Sequence, residues 1–128
     1  MSLPQSEILR LSKENLTQED IEYFKNKYGK KFVKALRTVE ERKIVRYKFS
    51  PSESVTWIVK GRGRQYLVIP ELYCTCRSFY QEAVISRETN MCYHLLAQRI
   101  AEIREEYETR ISTDKERRKL YIDWRRTD

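Results

Sequence analysis

The chain has 128 residues, of which 40% are hydrophobic, 35% charged and 12% aromatic, a size that fits one domain or one domain with a tail. With 26 basic and 19 acidic side chains the net charge is +7, which favours anionic partners. No stretch approaches the ~20 apolar residues of a membrane helix, and residues 1–10 lack the apolar core of a signal peptide. We therefore expect an intracellular protein without a membrane partner, cytoplasmic or, in a eukaryote, nuclear.

Residues 1–42 are predicted to form a basic N-terminal helical segment. Thr17 is a plausible helix start, and apolar residues then recur at spacings of three and four as far as Val39. Gly29 lies inside this pattern, where it can divide one helix into two. The stretch 25–48 holds ten basic and two acidic side chains, so the excess of positive over negative charge in the chain is concentrated there.

The middle of the chain changes to a period of two, which is typical of strands. Strands are predicted at 43–49, 55–60 and 65–70, with a Gly-Arg-Gly-Arg turn before the third. We therefore expect a three-stranded antiparallel sheet.

The C-terminal part returns to a helical period, with an apolar stripe over residues 92–111 that predicts a long helix. Residues 112–128 are predicted to be a basic tail. Within it, the apolar and aromatic stretch 119–124 is compatible with a short extra strand or with a docked tail.

All three cysteines and the only histidine lie within 21 residues, as Cys74, Cys76, Cys92 and His94. The first two follow the third predicted strand and the other two begin the long helix, so a knuckle and a helix start can face one point. Four N and S ligands match a closed, tetrahedral structural Zn²⁺ site. The alternative is three buried free thiols and a hydrogen-bonded histidine.

The sequence of these ligands resembles the SWIM zinc finger, a family with the pattern CxC, a variable spacer and CxH. The matching segments are Cys-Thr-Cys at 74–76 and Cys-Tyr-His at 92–94, and Phe79 matches the aromatic residue usual in the family. The continuation Cys-Tyr-His-Leu-Leu-Ala, ending at Ala97, is similar to the extended CxHxxA form of SWIM subunits of Shu complexes. This resemblance implies a role in DNA recombination or repair beside a RecA-like recombinase.

Seven basic residues are candidates for nucleic-acid contact. The helical segment presents a basic stripe and the predicted hairpin adds a second group, which together are Lys27, Lys30, Lys34, Arg37, Lys60, Arg62 and Arg64. A row of like charges on a helix costs stability, which favours an anionic partner such as a phosphate backbone. The alternative is a solvated face of a charge-rich protein. Trp57 and Tyr66 lie close to the second group, either as core residues or as stacking platforms.

These observations predict an α+β protein with an N-terminal helical segment, a three-stranded antiparallel sheet and a zinc-stapled long C-terminal helix. Residues 43–111 would be the SWIM-type zinc-binding domain. The predicted function is binding of single- or double-stranded DNA, largely without sequence specificity, in recombination or repair. The alternative is an adaptor that docks a RecA-like recombinase or another protein without touching DNA. No catalytic constellation is present, so we expect neither an enzyme nor a small-molecule substrate.

Overall fold

The computed structural model of the chain describes residues 3–61, 63–70, 72–76 and 92–125. Numbered in chain order over these residues, the elements are α1 (Gln5–Leu11), α2 (Gln18–Tyr28), α3 (Lys30–Glu40), β1 (Ile44–Ser50), β2 (Ser54–Lys60), β3 (Gln65–Ile69), β4 (Tyr73–Cys74), α4 (Tyr93–Arg104), β5 (Glu108–Thr113) and α5 (Asp114–Trp124). The fold is therefore mixed α and β. In this described part, no helix has both the length and the apolar character needed to cross a bilayer.

The five strands form one sheet in the order β4-β3-β2-β1-β5. β1, β2, β3 and β4 pair antiparallel with their neighbours, and β5 runs parallel to β1 at the far edge. The three predicted strands lie at the centre of this sheet, but the expectation of a three-stranded sheet is wrong in extent. It omits β4, which has only two residues, and β5, whose apolar residues also fit a helical period.

The helix observed in this region, α4, is shorter than the helix over 92–111 that the apolar stripe predicts. α4 ends before Glu105, which adopts the left-handed conformation (φ 55°) that closes many helices at their C-terminus. Glycine usually occupies such a position, and its absence here removes the local signal for a helix end. β-branched residues then alternate along β5 as Thr109, Ile111 and Thr113, a strand pattern hidden by the helical spacing of the stripe.

One face of the sheet is covered by helices, among which α3 and α4 pack closely against each other. Its core includes Ile44, Trp57, Val59 and Val68 of the sheet, together with Phe32, Ala35, Leu96 and Ile100 of the helices. The Trp57 ring meets the Tyr107 ring edge to face, with centroids 4.9 Å apart. Trp57 is thus a core residue, and its ring is not a surface platform for a nucleic-acid base.

The opposite face of the sheet is covered by α5. Side chains from the sheet form its core with Trp124, namely Val45, Tyr47, Phe49, Ile58 and Leu67. Trp124 is 2% exposed and donates its indole N–H to the Gln65 side-chain oxygen at 2.9 Å. Residues 119–124, for which a strand and a docked tail were both compatible with the sequence, are the last turns of a helix packed on the sheet.

The start of α2 is fixed by a capping box. The Thr17 hydroxyl accepts from the Asp20 amide, and the Asp20 carboxylate accepts from the Thr17 amide, as the predicted helix start at Thr17 requires. Arg10 and Lys13 also contact this buried carboxylate at 3.1 and 3.2 Å. The hydrogen bond from the Thr17 amide, aided by these cations, lowers the pKa of Asp20 despite its burial.

A second buried carboxylate, that of Glu7, joins α1 to α2. It accepts hydrogen bonds from the Tyr23 and Tyr28 hydroxyls and from the Lys27 ammonium. Burial by itself would raise the pKa of Glu7, and the hydrogen bonds, first that of Lys27, outweigh it and lower the pKa. α2 ends at Gly29, whose φ of 71° divides the predicted helical segment into two helices, as the sequence allowed.

Candidate metal centre and basic surface

Cys74 and Cys76 lie on the knuckle at the end of β4. Between them, Thr75 is 1% exposed and makes two hydrogen bonds to Leu67 of β3. Its amide donates to the Leu67 carbonyl at 3.1 Å, and its hydroxyl accepts from the Leu67 amide at 3.0 Å. Alternate side chains of an extended segment point to the same side, so Cys74 and Cys76, on either side of the anchored Thr75, can face one point.

Cys92 and His94 lie at the start of α4, where Cys92 is the residue that precedes the first helical turn. The amides and the dipole at a helix N-terminus favour negative charge on a thiolate at this position. Both side chains are buried. Nδ1 of His94 lies 3.9 Å from Sγ of Cys92, whereas Nε2 is buried and has no hydrogen-bond partner among the described residues.

The structure brings all four predicted ligands together. Their ligand atoms lie within 4.8 Å of one another, and all four residues are buried. In a tetrahedral site with Zn–S bonds of ~2.3 Å, neighbouring ligand atoms are about 4 Å apart, so this cluster is close to the required spacing. Three thiols and one imidazole are a donor set that zinc prefers, and they fill all four positions. The residues therefore fit a structural zinc ion and leave no position for a reactive water.

The protonation of the thiols depends on that ion. In its absence, hydrogen bonds with Cys76 and Cys92, together with burial, raise the pKa of the Cys74 thiol, because three thiolates in contact would repel one another. A coordinated divalent cation reverses this balance and deprotonates its thiol ligands. Zinc binding therefore releases protons, and the affinity for zinc falls as the pH falls.

Two tyrosine rings contact the His94 imidazole. The Tyr66 ring of β3 lies 4.3 Å from it between centroids, and the Tyr93 ring of α4 lies at 4.0 Å. Each tyrosine ring also makes a cation–π contact. The Arg64 guanidinium carbon is 5.0 Å from the Tyr66 centroid, and the Lys34 ammonium is 5.7 Å from that of Tyr93. Two candidate nucleic-acid-binding residues from distant parts of the chain thus each contact a tyrosine that lies against the zinc ligand.

The other candidate basic residues occupy different surroundings. Lys30 and Arg37 share the exposed face of α3 with Lys34, at spacings of four and three residues. Lys27 belongs to α2 and pairs with Glu7. The prediction that it continues the basic stripe of α3 is therefore wrong. Lys60 lies 3.6 Å from the Glu108 carboxylate in an ion pair. Arg62 lies outside the described residues, as does Phe79 of the family pattern.

The SWIM motif does not indicate a role for three residues of the site. Thr75 and Tyr93 occupy the variable positions of the CxC and CxH patterns, where the motif places no constraint. Tyr66 has the same apolar alternation as any strand aromatic, so its contact with the histidine follows from sheet topology alone. The adjacency of each residue to a ligand, or to the basic turn, is the one signal that the sequence offers.

Comparisons with known proteins agree with this site. No protein-family model matches the chain. The chain is 31% identical over 71 residues to a Dictyostelium discoideum protein described as "Zinc finger SWIM domain-containing protein 7 homolog". The match covers 54% of the chain and 46% of that protein, so the chain spans about half the length of this curated relative.

This similarity and the Cys₃His cluster together confirm the predicted resemblance to the SWIM zinc-finger family. The site is therefore a structural Zn²⁺ site that is similar to the SWIM zinc finger.

Proposed function

We propose that this chain is a zinc-dependent nucleic-acid-binding protein that contacts the phosphate backbone, most simply of DNA, and serves recombination or repair. The observation that carries the proposal is that Lys34 and Arg64 each lie over one of the two tyrosine rings that contact His94. A helix and a hairpin far apart in the chain thereby each place a positive charge close to the zinc site, which supports a basic surface there.

The exposed face of α3 extends this basic surface. In the described part of the chain, no carboxylate lies within ion-pair distance of Lys30, Lys34 or Arg37. Such side chains bind nucleic acid by displacing the counterions of phosphates, which makes the affinity strongly dependent on salt. Phosphate contacts position a protein without reading sequence, and we therefore propose little sequence specificity.

In this proposal the zinc ion has a structural role and the protein is not an enzyme. The ion joins the β4 knuckle to the start of α4, and so keeps the sheet edge next to the helix that carries Tyr93. Recombination or repair is proposed from the resemblance to Shu-complex SWIM subunits, which the Cys-Thr-Cys and Cys-Tyr-His-Leu-Leu-Ala segments carry. The similar Dictyostelium protein supports the zinc finger and leaves the process as our proposal.

A salt-dependent titration tests the proposal. The zinc-loaded full chain is titrated against labelled single- and double-stranded DNA at several salt concentrations, beside the variant Lys30→Glu/Lys34→Glu. We expect the variant to bind at least tenfold more weakly at low salt, with a shallower dependence on salt because about two phosphate contacts are lost. The matched control is Lys115→Glu/Lys119→Glu, which makes the same charge change at exposed positions of α5 on the other side of the sheet.

Two results would contradict the proposal. An equal loss in both double variants would assign binding to net charge and not to the surface beside the zinc ion. No binding of the unmodified chain at low salt, together with stable co-purification of a RecA-like recombinase, would favour the adaptor function instead.

A further inference from the structure

The tyrosines beside the zinc ligand carry a second inference, which concerns the metal site and holds whether or not the chain binds nucleic acid. We propose that Tyr66 and Tyr93 are positioning residues that hold the His94 imidazole with Nδ1 toward the three thiols. Nδ1 is then the zinc ligand, and Nε2 keeps its proton.

The position of Nδ1 supports this choice of ligand atom. Nδ1 lies 3.9 Å from Sγ of Cys92, which is close to the ~3.5 Å that separates a nitrogen and a sulfur ligand of one tetrahedral zinc ion. If Nε2 were the ligand, Nδ1 would point away from the ion and lie about 5 Å or more from any ligating sulfur. The distance therefore favours Nδ1.

In most metal sites, a hydrogen bond from the second nitrogen fixes the orientation of a ligating histidine. Here Nε2 is buried without a hydrogen-bond partner in the described part of the chain. Among the described residues, the contacts that can orient the ring are those with the Tyr66 and Tyr93 rings, at 4.3 and 4.0 Å. Aromatic rings at such distances restrict the rotation of the ring between or beside them.

The Tyr66 ring is itself held in place. A Cβ atom on Gly61 would overlap this ring, so glycine at that position lets the ring lie against the hairpin backbone. Arg64 covers the same ring at 5.0 Å. The orientation of Tyr66 is therefore set by the hairpin, which is independent of the helix that carries His94 and Tyr93.

Nuclear magnetic resonance of the unmodified protein tests the ligand atom directly. His94 is the only histidine, so a long-range ¹H–¹⁵N spectrum of the zinc-loaded, ¹⁵N-labelled chain reports one imidazole ring. We expect the proton-bearing nitrogen to correlate strongly with both carbon-bound ring protons, which identifies it as Nε2. A proton-bearing nitrogen that correlates strongly with Hε1 alone is Nδ1, and that result would overturn the inference.

Competition with a chelator tests the role of the rings. We expect Tyr66→Leu and Tyr93→Leu to bind zinc about 10- to 100-fold more weakly, the range found for residues that orient metal ligands. Tyr66→Phe and Tyr93→Phe keep the rings and should restore the affinity. The matched control is Tyr107→Leu, which removes a half-buried ring from the same helical face of the sheet, where it packs on Trp57.

The result that would contradict positioning by the rings is unchanged zinc affinity in both leucine variants. An equal loss in the phenylalanine variants would also contradict it, because the hydroxyls and not the rings would then be responsible. A loss in Tyr107→Leu as large as in the other leucine variants would reduce the effect to general destabilisation.

Discussion

The two faces of the sheet are closed by different means. The face covered by α4 and the helices packed around it contains the four zinc ligands, and these side chains are buried at the junction of the β4 knuckle and α4. The face covered by α5 has an apolar, largely aromatic core in which Trp124 contacts Tyr47 and Phe49. Metal coordination thus supplements the apolar core of the first face, whereas aromatic packing alone closes the second.

The two faces differ because the β4 knuckle and α5 bury different amounts of apolar surface. β4 has two residues, too few to hold the knuckle against α4 by apolar contact alone. α5 instead contributes a large ring, and one buried tryptophan removes enough apolar surface from water to dock a short helix. We therefore expect the two faces to respond independently, and the two tryptophans, Trp57 on one face and Trp124 on the other, to report on each.

Removal of zinc should have the largest effect. Structural zinc contributes ~10–16 kcal/mol of apparent binding free energy in zinc-finger peptides, which exceeds the free energy of unfolding of many small domains. We expect a chelator to unfold the zinc face. The fluorescence of Trp57, measured in the Trp124→Phe variant, reports this unfolding. Unchanged fluorescence and an unchanged melting temperature in chelator would contradict a structural role for the ion.

Truncation of Trp124 should have a smaller effect that is confined to the other face. Trp124→Ala should lower the free energy of unfolding by about 3–5 kcal/mol, because it leaves a cavity under α5. Denaturant unfolding measures this loss, and metal analysis should still find zinc bound in the folded protein. Loss of zinc in parallel with the loss of stability would show that the two faces are not independent.

Substitution of Thr75 should have the smallest effect of the three. Thr75→Val keeps the shape of the side chain but leaves the Leu67 amide without its acceptor, which should lower the free energy of unfolding by about 1–3 kcal/mol. Thr75→Ser keeps the hydroxyl and is the control for denaturant unfolding. Equal stability of the valine and serine variants would mean that this hydrogen bond does not anchor the knuckle.

The zinc ligands could be predicted from the sequence because their pattern is local. In each of the two motifs, a single residue separates the two ligands. The two ligands of each motif therefore lie close together in any fold. The central strands and the division at Gly29 also follow from local periodicity and backbone preference. These are the parts of the fold that the prediction and the structure share.

The remaining parts depend on contacts between distant residues. The hydrogen bond of Trp124 to Gln65 spans 59 positions, so nothing near residues 119–124 indicates the helix packing that it stabilises. Lys27 likewise meets Glu7 twenty residues away, which removes it from the basic stripe predicted by spacing. β5 escapes prediction because Glu105 ends α4 without a glycine, and strand pairing with β1 then outweighs the helical period.

Metal analysis of the purified full chain by native mass spectrometry tests the central claim most directly. The coordination of one ion by Cys74, Cys76, Cys92 and His94 predicts one zinc per folded chain, and loss of that zinc in Cys76→Ser. A folded chain that binds no zinc, or a Cys76→Ser variant that retains a full equivalent, would contradict it.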